Sequence, residues 1–178
     1  MINIKDYVQC YENILDKKIC EDIIHSSKEE DFRVTGIQDH QLDRNFRRCY
    51  VKTLDKKFND IIFKSVGKLL LKYKKTFPTF STGLSMEDTG YEHLFYKASE
   101  NGEYKQHVDH FDLFPRVLSC SFILNDNYEG GNFAFFDGEY VVEKKQGSVI
   151  LFPSNFCFPH AVTPVSKRDR HSVITWIH

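Results

Sequence analysis

Residues 132–144, NFAFFDGEYVVEK, read as a β-hairpin: an aromatic run, then Asp137-Gly138, then a second short apolar run. Asp-Gly supplies the positive-φ positions that a tight turn between twisted strands requires. Working outward, runs of similar texture recur at short intervals. They are YEHLFYK (91–97), EYKQHVD (103–109), RVLSCSFIL (116–124), SVILFP (148–153), PHAVTPV (159–165) and RHSVITWI (170–177). The breaks between them carry Gly102, Asn125–Asp126, Gly130-Gly131 and Gly147, all good turn formers. About eight short strands of this kind predict a mainly β fold, a jelly-roll or barrel, whose mouth is a natural place for a metal or ligand.

Upstream of residue 90 the texture is helical. Asp16 can cap a helix through Ile19, Ile23 and Ile24. In FNDIIFKSVGKLLLKYKK (58–75), Ile62, Val66, Leu69, Leu70 and Tyr73 share one side, and Lys64, Lys68, Lys72 and Lys75 another. The lysine row reads as a solvated face. The chain is therefore expected to be one domain over 1–178, with 1–89 as helical support and 90–178 as the β core. Residues 33–52, with Arg33, Arg44, Arg47 and Arg48 in a turn-rich setting, are a candidate lid over a substrate.

The charge balance, 24 basic against 25 acidic residues, gives no sign of nucleic-acid or anionic-membrane binding. No apolar run is long enough to span a bilayer, and MINIKDYVQC lacks the apolar core of a signal peptide. The five cysteines (10, 20, 49, 120 and 157) include no C-x-x-C pair. That usage fits a reducing, cytoplasmic setting and small buried hydrophobes better than disulfides or zinc.

The segment YKQHVDHFDLF (104–114) holds two successive His-x-Asp pairs, His107/Asp109 and His110/Asp112. Residues two apart on a strand point to one side, so on a continuous strand the pairs face opposite ways. Parity alone does not choose between them, and a third ligand must. Among His25, His40, His93, His160, His171 and His178, His160 stands out, just past a buried strand and a Pro-bounded turn. Ten residues later Arg170 opens the last strand, sharing a face with Ser172, Ile174 and Trp176.

The ordered set Tyr96, EYKQHVD, RVLSCSFILND, GGNFAFF, GSVILFPS, His160 and RHSVITW resembles the Fe(II)/2-oxoglutarate-dependent dioxygenases, in their prolyl-4-hydroxylase-like branch, over about residues 91–178. The resemblance implies a double-stranded β-helix, the cupin-like jelly-roll, braced by the N-terminal helices. In this branch a Tyr usually stands three residues before the ligand His, as Tyr104 stands before His107. The implied Fe(II) ligands are therefore His107, Asp109 and His160, leaving His110 and Asp112 to a polar loop or an outer shell. Such a triad leaves coordination positions open for 2-oxoglutarate and O2, which a closed four-ligand zinc site would not.

The same resemblance implies Arg170 as the partner of the far 2-oxoglutarate carboxylate, with Tyr96 and Ser119 adding hydrogen bonds. Arg168, of the same strand parity, is the rival. Tyr104, Ser172 and Trp176 are expected around the site. Succinate and CO2 are the implied co-products, with ascorbate as a supporting reductant. Two departures bear on the cosubstrate pocket. Ile123 stands where relatives often have Tyr, and no Gly precedes Arg170. Nucleic-acid demethylases with this triad carry a second Arg where this chain has Trp176. The implied substrate is a prolyl residue of a peptide or protein. A free amino acid or other small molecule, or a non-oxidative cupin-type metal-binding role, are the alternatives.

Overall fold

The computed structural model describes residues 2–37, 41–82, 85–111 and 115–178. Its strands are β1 (Gln9–Tyr11), β2 (Arg33–Val34), β3 (Arg47–Arg48), β4 (Tyr50–Thr53), β5 (Glu92–Tyr96), β6 (Glu103–His107) and β7 (Leu118–Ile123). They continue with β8 (Glu129–Gly130), β9 (Phe133–Phe135), β10 (Tyr140–Val142), β11 (Val149–Pro153), β12 (His160–Val162), β13 (Val165–Lys167) and β14 (Arg170–Ile177). The helices are α1 (Lys17–His25) and α2 (Asn59–Thr76). A seven-stranded antiparallel sheet has the order β1-β11-β7-β14-β5-β4-β2, and a five-stranded one β10-β9-β12-β6-β3. Strands β8 and β13 form a separate ribbon. The whole is a mainly β jelly-roll with its helices on one side.

Two-residue periodicity explains the layering. On β7, Leu118, Cys120 and Phe122 face one core, shared with Cys20 and Ile23 of α1 and Ile62, Val66, Leu69 and Tyr73 of α2. The alternate residues face the inter-sheet core, where Ile123 meets Leu94, Tyr96, Ile150, Phe152 and Ile174 from the large sheet and Phe133, Phe135, Val142 and Val162 from the small one. Each such buried side chain contributes roughly 1.5–3 kcal/mol, enough in sum to hold a helix whose propensity alone is marginal. The four lysines of the α2 row are exposed, as a solvated face requires. Asp16 occupies the α1 N-cap position with extended backbone, but its side chain makes no capping hydrogen bond.

The 132–144 hairpin forms as read, with Tyr140 opposite Phe135 and both Asp137 and Gly138 at positive φ. Gly147, φ +81°, is also required, since a Cβ there would collide with the Leu15 carbonyl oxygen. The first half of the chain is less helical than expected. It adds β1, β4 and β2 to the large sheet and β3 to the small one. Two to four residues are too few for alternation to show in sequence; these strands form because they complete existing sheet edges. The stretch read as a candidate lid thus contains β2, β3 and β4, while its residues 38–40 lie outside the described set.

On the outer face of β5 and β14, His93 Nε2 and His171 Nδ1 lie 3.1 Å apart beneath Phe32, and His171 stacks on Phe95. Burial drives both imidazoles down, His93 to about 3 and His171 to about 4. The unfolded chain therefore takes up these protons first. Stability is full above the ordinary histidine value near 6.5 and falls as pH drops from there toward 4. The thermal midpoint at pH 5 is expected well below that at pH 7.5, and His171→Phe should shrink the gap. A gap unchanged by that substitution would place the acid sensitivity elsewhere.

Candidate metal centre and its pocket

Strand β6 ends at His107, so Asp109 lies just beyond the ladder rather than within it. The alternation nevertheless persists for two more residues: Val108 is 38% exposed and Asp109 only 6%. His107 pairs in register with His160, the first residue of β12. Two chain segments thus meet, and one ligand atom from each of His107, Asp109 and His160 lies within 4.8 Å of the others. Among the described residues this is the one such cluster of His, Cys, Asp or Glu. His110 is exposed, and Asp112 lies outside the described residues.

The donor atoms are prepared for a cation. His107 Nδ1 donates to the Lys105 carbonyl at 2.8 Å and His160 Nδ1 to the Phe158 carbonyl at 3.1 Å. A carbonyl only accepts, so each ring carries a proton on Nδ1 and turns its Nε2 toward the cluster. Those Nε2 atoms stand 3.6 Å from Asp109 Oδ1 and Oδ2 respectively. Neighbouring donors roughly 2.1 Å from one ion stand about 3 Å apart, so small shifts close the site. Burial drives His160 down to about 4, against the pull of Asp109, so the ring is neutral near pH 7. Burial also opposes ionisation of Asp109, but His160, His107 and the Ser119 hydroxyl outweigh it and hold the carboxyl far below its ordinary range.

The surroundings fix these groups. Phe133 stacks against His160 with rings 5.2 Å apart, and Phe152 meets it edge-on. Tyr104 stacks on His107 at 3.4 Å. The Ser119 hydroxyl donates to Asp109 Oδ2 at 2.6 Å and, its one proton so committed, accepts from Ser154 Oγ at 2.8 Å. These bonds orient Asp109. Ser119→Ala is expected to weaken Fe(II) binding about tenfold in an anaerobic titration, the usual cost of losing a partner behind a ligand. Unchanged affinity would show that Asp109 is held without it.

At the start of β14, in the large sheet, Arg170 is 2% exposed. Its Nη1 donates to Ser172 Oγ at 3.1 Å, its guanidinium lies 4.9 Å from the Tyr96 ring centre, and its Nε is buried with no partner. No carboxylate pairs with it among the described residues. Arg168, its rival, is exposed in the turn before β14 at φ +56°. Burial keeps the Tyr96 phenol protonated, with the Cys49 thiol beside it. Trp176 Nε1 is buried without a partner, and the Trp176 ring carries Arg116 at 3.6 Å. Ser154 and Arg116 escaped the sequence reading. The signal for both was a polar residue at the edge of a buried apolar run.

Three neutral or anionic donors suited to Fe(II), beside a buried and unpaired guanidinium, fit the Fe(II) and 2-oxoglutarate pair. Residues 92–178 match the 2OG-Fe(II) oxygenase superfamily. A PKHD-type hydroxylase of Alteromonas mediterranea is 36% identical over 95 residues, 47% of this chain and 41% of that protein. The chain thus spans about two fifths of that relative's length. By structure it is similar to a Trichoplax adhaerens prolyl hydroxylase in complex with a hypoxia inducible factor peptide fragment (TM-score 0.73, 17% identity, covering 96% of this chain and 83% of that one). A Pseudomonas putida prolyl-4-hydroxylase gives TM-score 0.70 and 19% identity, covering 97% and 92%. The viral collagen prolyl hydroxylase of Paramecium Bursaria Chlorella virus-1, in its 2OG complex, gives 0.72 and 16%, covering 96% and 95%. The β core of this chain, residues 92–178, is thus similar to the 2OG-Fe(II) oxygenase superfamily, whose cofactors are Fe(II), 2-oxoglutarate and O2, and the fold of the chain is similar to that of the prolyl hydroxylases.

Proposed function

We propose that this protein is an Fe(II)- and 2-oxoglutarate-dependent dioxygenase that hydroxylates a prolyl residue of a peptide or protein. The observation that carries this reading is the occurrence of the His107–Asp109–His160 cluster on the small sheet together with Arg170 on the large sheet, a buried guanidinium lacking a carboxylate partner among the described residues. When bound, iron with 2-oxoglutarate and O2 supplies the oxidising power that converts C–H to C–OH and leaves succinate and CO2.

The chain supplies placement. His107, Asp109 and His160 would hold the metal, with the Ser154–Ser119 relay fixing Asp109 and the Phe133 and Phe152 rings fixing His160. Arg170 would hold the far carboxylate of 2-oxoglutarate through its guanidinium, with Tyr96 beside it. Ile123, Ile150 and Ile174, buried in the inter-sheet core, would help to keep water from the reacting centre.

The peptide bound to the Trichoplax neighbour supports a peptide substrate here. The five free thiols support a reducing, cytoplasmic setting, and no helix among the described residues is long and apolar enough to cross a membrane. The test is incubation of the iron-loaded protein with 2-oxoglutarate, air and a panel of proline-containing peptides. Succinate release that depends on peptide, with one oxygen gained on a prolyl residue, is expected. Succinate release with peptides left unmodified would contradict the prolyl reading.

A further inference from the structure

Helix α2 has a face that the fold leaves uncovered. Its Ile62, Val66, Leu69 and Tyr73 are buried on the side of the large sheet that faces away from the small one. At 100° per residue, a second stripe lies about 130° around the helix from these and runs through Asp60, Phe63, Gly67, Leu71 and Lys74. Phe63 is 63% exposed and Leu71 66%, and no other large apolar side chain of α1 or α2 is exposed. Beside them Phe63, Val66, Leu70, Met86 and Ile177 line an open groove of about 500 Å³. Single exposed apolar residues are ordinary, but two on one stripe beside an apolar groove form a patch.

The stripe itself says what covers it. Its residues, at 60, 63, 67, 71 and 74, are spaced symmetrically about Gly67. Laid antiparallel on a second copy and crossing at Gly67, the helix sets Phe63 against the partner's Leu71 and Asp60 against the partner's Lys74. A two-fold axis makes each contact occur twice. Asp60 and Lys74 are exposed, and neither makes an ion pair within the chain among the described residues. Gly67 is a separate observation. Glycine inside a helix is destabilising relative to alanine, yet a Cβ here would meet nothing within 4 Å, so no contact within the chain requires it. At a helix crossing, the missing side chain lets the two axes approach closely. Lys64, Lys68 and Lys75 lie about 60° or more from the centre of the stripe, and Glu87 lies at the edge of the groove. All four are exposed, and at the rim of a contact such charges stay in water and are screened.

We propose that α2 is the interface of a two-fold symmetric dimer of this chain, antiparallel and crossing at Gly67. The metal cluster lies on the small sheet, beyond the large sheet from α2, so the pairing leaves it open. The inference is independent of the hydroxylase reading.

Sedimentation velocity of the full chain, loaded with Fe(II) and kept without oxygen, tests this over about 1–300 µM, the range of a modest interface. The wild type is expected to pass from monomer to dimer across that range. Phe63→Glu, which puts two carboxylates into the apolar stripe, stays monomeric throughout. Gly67→Ala weakens the dimer about tenfold or more while leaving the thermal midpoint of the dilute monomer unchanged or raised. Asp60→Lys and Lys74→Asp each weaken it about tenfold, because two exposed attractions become repulsions, and the double variant returns to within about threefold of wild type. Near-UV circular dichroism, unchanged in every variant, assigns the losses to the surface rather than to the fold. A wild type that stays monomeric over the whole range overturns the proposal, as does a dimer equally tight in Phe63→Glu or Gly67→Ala. A double variant no better than the two single ones overturns the antiparallel register, and with it the crossing at Gly67.

Discussion

Asp109→Ala abolishes Fe(II) binding and succinate formation, while Asp112→Ala leaves both near the wild-type level. Asp109 faces both Nε2 atoms, one from each of its oxygens, and is 6% exposed. Removing it takes away the cluster's only anion, and the two imidazoles cannot replace its charge. The loss should therefore exceed the 10–100-fold typical of a partner behind a ligand. Unchanged thermal stability of the variant in the absence of metal would assign the loss to the site rather than to the fold. The reverse pattern, with Asp112 essential and Asp109 dispensable, would mean that the second His-x-Asp copy is the metal-binding one.

Arg170→Ala weakens 2-oxoglutarate by about a hundredfold, near 3 kcal/mol, and leaves Fe(II) binding within a factor of about two. The size follows from stranding a carboxylate in a pocket whose other polar groups, Tyr96 and Ser172, are neutral. Arg170→Lys should recover little, because an ammonium cannot reproduce the two-point grip. Competitive binding of 2-oxoglutarate and Fe(II), measured separately without oxygen, checks both statements. Equal weakening of the two ligands would count against Arg170 as the carboxylate partner.

The β core was legible because its strands are long enough to alternate and are bounded by turn residues with a physical reason to be there. Asp137-Gly138 could be read as a hairpin from those two residues alone. The metal cluster was legible only through the ordering of His107, Asp109 and His160 along the chain, since parity within YKQHVDHFDLF admits either pair. What sequence could not show was set by contacts far apart in the chain. Ser119 and Ser154 are 35 residues apart and meet because β7 and β11 are neighbours. Arg47 lies in a segment read as a surface lid, and only its pairing with β6 turns it toward the metal cluster. The short strands β1 to β4 were invisible for a related reason, since the sheet edge they complete, rather than their own pattern, makes them strands.

The most direct test of the central claim needs no substrate. Fe(II) and then 2-oxoglutarate are added without oxygen to the metal-free protein, and the weak visible charge-transfer band of chelated 2-oxoglutarate is recorded. The account predicts that the band appears in the wild type and is absent in Asp109→Ala. Wild-type protein that binds Fe(II) yet shows no band on adding 2-oxoglutarate would contradict it, leaving a metal centre of cupin type without the cosubstrate.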